Sequence, residues 1–296
     1  MGKLTLTFLG VGSAFAKRNR QSNALVEAWA DDPRRQSAPD DTVLIDFGMT
    51  GPVALHELKV RPDFAYLDVD GRVNYPAITN LIVTHQHADH VGGLEEFAAT
   101  TRHVFARPSS NDVRRTRLIA TQEMIEGVWT HSLSGGLRAL SGRTATLEDY
   151  FEPHPLRAMG DGDAQPFSVL DQFEFSLVQT DHIRIHERYD WPSYAVRIAD
   201  RQSGETVFYS GDTRFDRAMI DKYVVPARLS FHDVQLRDEP TPVHALLSEL
   251  RTLPESVRRT MHLYHYGDSW DASEYEFVQR EFAGFARPAY RYLLFD

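Results

Sequence analysis

Asn80-Leu81-Ile82-Val83-Thr84-His85-Gln86-His87-Ala88-Asp89-His90-Val91-Gly92-Gly93 is the stretch on which the reading of this chain turns. Asn80 to Thr84 is a short apolar, β-branched run, the pattern of a buried strand. Four groups able to hold a metal then fall within the six residues 85 to 90. While the chain is still extended, His85 and His87 point to one side, because strand side chains repeat every two residues. A bend into a helix opened by Val91-Gly92-Gly93 turns Asp89 and His90 toward a second point nearby. Two ligand pairs at such a separation suit a two-metal site. The plain alternative is a polar loop with surface histidines. Three histidines and an aspartate seldom meet at this spacing on a strand end by chance.

Outward from this segment the chain alternates strands and helices. Lys3 to Leu9 alternates apolar and polar residues and meets the turn Gly10-Val-Gly12-Ser13. Ser22 to Glu27 and Val43-Leu-Ile-Asp46-Phe-Gly48 read as strands, and Gly51 to Lys59 as a helix. Asp31 to Asp41 and Pro62 to Tyr75 read as loops. Beyond the histidines the pattern predicts a helix from Val91 to about Thr100, another over Ile119 to Ser132, a turn at Ser134-Gly-Gly-Leu and one at Met159 to Asp163. Strands are predicted at Phe173–Val178, Tyr194–Ile198, Thr206–Ser210, Thr260–Tyr264 and Tyr290–Phe295, with helices at Val243–Leu253 and Ala272–Phe282. This is an α/β pattern with polar clusters at strand tips, where chemistry gathers. No repeat, low-complexity tract or linker divides it. One domain over residues 1–296, with an insert at about 103–170, is the simplest organisation.

Composition narrows the chemistry. A hydrophobic content of 42% over 296 residues supports a large core. No apolar run approaches the roughly 18 to 20 residues that cross a bilayer. The start of the chain lacks the pattern of a signal peptide, which points to the cytoplasm. With no cysteine, thiolate ligands and a cysteine nucleophile are excluded, so a metal would rest on His, Asp or Glu, and the chain has 13 histidines. A net charge of −10 argues against a long nucleic acid as partner. It leaves room for a small anionic substrate, because divalent metals would supply positive charge locally.

His85-Gln-His87-Ala-Asp89-His90 resembles the HxHxDH signature of two-metal hydrolases of the metallo-β-lactamase superfamily. Other segments fall in that family's order. Phe8 to Ser13 resembles its opening strand and turn, and Leu44-Ile-Asp46-Phe-Gly48 the strand whose buried aspartate supports the site. Ser210-Gly-Asp212-Thr213 resembles the segment presenting a bridging aspartate, and His262-Leu-Tyr-His265-Tyr the strand ending in the last histidine ligand. The resemblance implies a four-layer αββα sandwich. It implies one metal on His85, His87 and a later histidine, a second on Asp89, His90 and His265, and Asp212 between them. His182 is the first choice for the later histidine, with His131 and His154 as rivals. His265 is preferred to His262, which faces the other way along the strand. Zinc fits this sulfur-free donor set, as would manganese, iron or nickel. Asp89 would also orient or move a proton of the nucleophile.

The bond cleaved depends on other features. His232-Asp233 followed by His244 resembles a constellation of ribonuclease Z-like phosphodiesterases, whose corresponding histidine assists the departing oxygen. By that resemblance His244 is a general acid or a phosphate contact. The arm by which bacterial ribonuclease Z grips transfer RNA is missing, since only residues 183–211 separate His182 from Asp212. The resemblance to armless relatives implies a phosphodiesterase for a cyclic nucleotide or dinucleotide, and a homodimer whose partner loops close the pocket. A carboxylic ester, lactone or thioester hydrolase is the second reading. A non-catalytic metal-binding partner protein is the third. Trp129, Tyr150 and Phe151 are aromatics of the insert that could stack on a base, but such residues are usually core, and none is taken as a site residue.

Overall fold

The computed structural model describes residues 2–31, 37–105, 115–160, 163–185 and 188–296. Parts of the predicted loop over residues 31–41 and the turn over residues 159–163 lie outside the described residues. The chain divides into two compact units, residues 1–10, 23–157 and 289–296 in the first and residues 11–22 and 158–288 in the second.

The first unit holds β1 (Lys3–Gly10), β2 (Asn23–Trp29), β3 (Asp41–Ile45), β4 (Asp68–Val69), β5 (Arg72–Val73), β6 (Asn80–Ile82), β7 (Arg117–Thr121), β8 (Ala139–Leu140), β9 (Arg143–Thr144), β10 (Glu152–Leu156) and β18 (Arg291–Phe295). Seven of these form one sheet in the order β10-β7-β6-β3-β2-β1-β18. From β3 to β10 the neighbours run parallel, while β18, β1, β2 and β3 are antiparallel. Every residue of β2 is buried, which is why Asn23 to Trp29 reads as nearly continuous apolar sequence. The helix Gly51–Lys59 starts on Pro52, where a missing N–H costs nothing, and buries Ala54, Leu55 and Leu58 as one stripe. Each of the two leucines contributes roughly 1.5–3 kcal/mol on burial.

The second unit holds β11 (Phe167–Val169), β12 (Phe173–Ile185), β13 (Arg188–Asp200), β14 (Thr206–Tyr209), β15 (Leu229–Asp233), β16 (Met261–Tyr264) and β17 (Gly284–Phe285), paired in that order. Strands β11 to β14 are antiparallel, and β14 to β17 parallel. Both sheets are therefore mixed. Chains of this kind place functional groups beyond the carboxyl ends of their parallel strands.

Several boundaries differ from those predicted. Ile119 to Thr121 belongs to β7, and helical turns begin only at Gln122. The segment over 103–170 thus supplies β7 and β10 of the first sheet. Ser134 to Leu137 is a helical turn rather than a reverse turn. The helix predicted over Val243–Leu253 is confined to Leu247–Leu250, so His244 precedes it at a bend in the chain. The last predicted helix breaks into short turns at Ser273–Tyr275 and Val278–Glu281. In each case most of the apolar residues are buried, but the backbone conformation follows tertiary neighbours rather than local periodicity.

Candidate metal centre

In the first unit the candidate residues gather at the carboxyl ends of β3 and β6, which pair directly. Asp46 follows β3 with φ of 61°, a conformation that costs energy for any residue but glycine. It is fully buried. Its carboxylate accepts from the Thr84 backbone N–H at 2.8 Å, from the Thr84 hydroxyl at 2.6 Å and from His90 Nδ1 at 2.7 Å. Burial drives the Asp46 carboxyl above the usual range, and His90 and Thr84 offset this only in part. With Nδ1 held by Asp46, His90 brings Nε2 to 3.2 Å from Asp89 Oδ2. His85 Nε2 lies 2.9 Å from His87 Nδ1, and the His85 and His90 rings are 4.0 Å apart. His85, Asp89 and His90 are all buried.

The close packing has a backbone origin. Phe47 N–H donates to the His90 carbonyl at 2.7 Å, clamping the loop after β3 onto the histidine segment. A Cβ on Gly48 would lie 1.8 Å from the Asp89 carbonyl oxygen, which no side chain tolerates. Gly48→Ala is therefore expected to destabilise the protein by about 2 kcal/mol or more and to lower its metal content by displacing Asp89. Thermal unfolding with metal analysis on the same sample checks both.

In the second unit the candidates sit at the carboxyl ends of three consecutive parallel strands, some 4.8 Å apart from neighbour to neighbour. Asp212 follows β14, Asp233 ends β15 and His265 follows β16. Asp212 is buried, and its carbonyl accepts from Thr180 Oγ1 at 3.2 Å and Ser193 Oγ at 3.1 Å. Gly211 before it has φ of 58°, and a Cβ there would meet the Tyr194 carbonyl at 2.4 Å. His265 has φ of 60°, and its Nδ1 pairs with Ser22 Oγ at 2.7 Å, which brings Nε2 to 3.3 Å from Asp212 Oδ2. His262 lies within β16, stacked on Phe231.

His182 lies inside β12, not after it, because that strand runs on to Ile185. The register with β13 shifts between Thr180 and Ile183, and the irregularity falls on His182. Such a bulge re-aims a side chain. His182 Nδ1 donates to the Val243 carbonyl at 2.8 Å, and Nε2 lies 4.0 Å from Asp212 Oδ2. A carbonyl can only accept, so the proton is on Nδ1 and the lone pair on Nε2. Burial pushes the ring below the usual imidazole range despite Asp212, keeping it neutral, as a metal ligand must be. Of the rivals, His131 is an exposed residue of a helical turn and His154 lies in β10.

His244 sits beside this set, its ring 5.0 Å from that of His182 and 4.8 Å from that of His265. Its Nδ1 lies 2.9 Å from Asp233 Oδ2. Burial would raise the Asp233 carboxyl, but hydrogen bonds from His232 and His244 outweigh it and hold the group below the usual range. Asp233 is thus a buried anion that fixes the orientation of His244. Ligand atoms of Asp212, Asp233 and His244 lie within 4.8 Å of one another.

The candidate ligands thus form two sets, one in each unit. Imidazoles with Nδ1 tied to carboxylate, carbonyl or hydroxyl and Nε2 turned toward a carboxylate have the form in which histidine holds a divalent metal. The donors fit such an ion. Ser22, Ser193 and the Val243 carbonyl, which support this arrangement, were not predicted, since nothing in their local sequence marks them.

Residues 4–292 match the family model described as Anti-Pycsar protein Apyc1. The chain belongs to that family. A relative of that description from Bacillus phage vB_BsuM-Goe3 is 35% identical over 268 residues, covering 89% of each chain. The chain is also similar to the crystal structure of the metallo-beta-lactamase fold protein YhfI from Bacillus subtilis, with a TM-score of 0.65 and 15% identity over 98% of this chain and 99% of that one. It is similar to unliganded yeast PDE1, with a TM-score of 0.68 and 14% identity over the whole of both chains. The family member thus has the metallo-β-lactamase α/β sandwich fold expected from its sequence. Family, fold and donor set support a metal-dependent hydrolase.

Proposed function

We propose that the chain is a binuclear metallohydrolase that cleaves a small phosphodiester, in the first place a cyclic nucleotide. In this reading residues 1–296 act as one catalytic domain. His85, His87 and His182 hold one divalent ion, Asp89, His90 and His265 a second, and Asp212 contributes to both. Asp46 orients His90. Zinc is the first choice of metal. The reading includes a cytoplasmic address, a homodimer and a small anionic substrate. Among the described residues no helix is long and apolar enough to cross a membrane.

Such ions, when bound, supply Lewis acidity that generates hydroxide from water near neutral pH and offsets charge on phosphoryl oxygens. The chain's own residues do the rest. Asp89 orients the nucleophile or takes up its proton. Asp233 fixes His244 Nδ1 as a donor, and His244 Nε2 exchanges a proton with the departing oxygen.

The observation that carries the phosphodiester reading is the 2.9 Å contact between His244 and the ionised, buried Asp233, next to His265. Ribose oxygens are poor leaving groups, and a held histidine is the acid they need. The cavity that His244 and His265 line, about 500 Å³, suits a small ligand. Relatives described as Anti-Pycsar protein Apyc1 and the likeness to a protein named PDE1 agree with this reading.

The test is a screen of cyclic mono- and dinucleotides on zinc- or manganese-loaded protein, with bis-p-nitrophenyl phosphate and p-nitrophenyl acetate alongside. Release of a linear nucleotide is expected, with turnover of the diester above that of the acetate. Hydrolysis of carboxylic esters alone would overturn the reading in favour of an esterase. A metal-loaded protein inert toward all of them would favour a binding role.

A further inference from the structure

The cavity beside His244 and His265 has an unusual wall. Phe15, 88% exposed, is the most exposed large apolar side chain among the described residues, and it lines this cavity. Its exposure does not come from a slack loop. Val11 N–H donates to the Asn19 carbonyl at 3.1 Å, Gly12 N–H to the Arg20 carbonyl at 2.7 Å and Ser13 N–H to the Tyr266 carbonyl at 3.1 Å. On the other side of Phe15, Lys17 N–H donates to the Asp268 carboxylate at 2.8 Å, and Arg18 grips Asp271 through two contacts of 2.8 and 2.6 Å. A Cβ on Gly12 would lie 2.6 Å from Ala16 Cβ, so this tight loop needs glycine there. A loop pinned on both flanks thus presents an aromatic face to solvent in the wall of the cavity that His244 and His265 also line. The ring itself, so exposed, contributes little burial to the fold.

Resting on the phosphodiesterase reading above, we propose that Phe15 is the stacking platform for the nucleobase of the substrate, positioning the cyclic phosphate toward His244 and His265. Two aromatics of the insert offer no such face. Tyr150 and Phe151 are buried in the first unit, 3% and 0% exposed, packed against Trp129 and Phe97 respectively. Every base has a π-face, so one exposed ring can bind a nucleotide without reading its edge. Phe15 acts on binding and orientation and touches no reacting atom.

The experiment compares wild type, Phe15→Ala and Phe15→Trp, all metal-loaded, on a 3′,5′-cyclic purine mononucleotide and on methyl p-nitrophenyl phosphate, a diester without a base. Phe15→Ala is expected to raise KM for the nucleotide by about tenfold, with kcat within about twofold and the base-free diester unaffected. Phe15→Trp is expected to restore KM. An unchanged KM for the nucleotide in Phe15→Ala overturns the proposal, as does an equal rise on both substrates. If that unchanged KM comes with a lower mass by sedimentation, the ring belongs to a contact between copies instead. Wild type that cleaves the base-free diester but no cyclic nucleotide overturns the stacking platform and leaves the phosphodiesterase reading of the metal centre intact. Wild type that cleaves neither overturns both.

Discussion

Asp212→Asn is expected to lower phosphodiester turnover by on the order of 10³-fold while leaving the fold intact. The side chain is buried and the substitution keeps its shape, so packing is retained. What it removes is the anionic oxygen 3.3 Å from His265 Nε2 and 4.0 Å from His182 Nε2. One carboxylate approaches both rings, and so this one change weakens both proposed metal positions together. The measurements are metal stoichiometry, turnover and thermal midpoint with and without added zinc. A metal that binds only the folded chain stabilises it by mass action, by about 2.7 kcal/mol at a hundredfold excess over Kd. Wild type should therefore gain stability on loading and Asp212→Asn much less. A variant with full metal content and activity within about tenfold of wild type would remove Asp212 from the centre.

How much of this could be seen in the sequence follows from where each constraint lies. Residues 85 to 90 were legible because their geometry is local, with the strand period placing His85 and His87 and the following helical turn placing Asp89 and His90. Asp212 and His265 came from a resemblance to family segments, with the strand tip used only to prefer His265 to His262, and both follow strands that end just short of them. His182 was assigned to a strand end, yet it occupies a bulge within β12. No one-dimensional signal distinguishes a bulge from a regular register, because the irregularity exists only between two strands. The helix predicted to open at Val243 illustrates the opposite error. Val243 and His244 lie in a bend, Gln235 pairs with Leu246 in an isolated bridge, and the Val243 carbonyl is engaged by His182. Val243 and Leu246, spaced for a helix, are only half-buried here, while Ala245 is buried. Tyr150 and Phe151 are core, the more usual place for such aromatics, while Phe15, just past the turn at Gly10 to Ser13 and in a segment without a sequence signal, is exposed.

The acidic balance of the chain also takes on a local meaning. A charge of −10 overall repels nucleotides at a distance, and the second unit's candidate site contains two buried carboxylates, Asp212 and Asp233. An anionic substrate would be rejected from such a site without bound cations. Metal loading should therefore control substrate binding as well as chemistry.

His244→Ala separates the phosphodiester reading from its rivals, and its effect should depend on the leaving group. The ring is held through Nδ1 by a buried anion, stands beside His182 and His265 and lines the cavity, but belongs to neither proposed ligand set. Its removal should leave metal content unchanged. For a cyclic nucleotide, whose departing ribose oxygen must be protonated, kcat is expected to fall by about 10²- to 10⁴-fold, the range of a lost general acid. For bis-p-nitrophenyl phosphate the departing phenolate is stable unprotonated, and the loss should be at least about tenfold smaller. Asp233→Asn should move both substrates in the same sense. Combined with His244→Ala it should add little, because the carboxylate acts on the reaction only through the ring it holds. Equal losses on the two substrates would show that His244 contacts the phosphate rather than protonating the leaving oxygen. A loss confined to carboxylic esters would leave Asp233 and His244 as part of an acyl-transfer site.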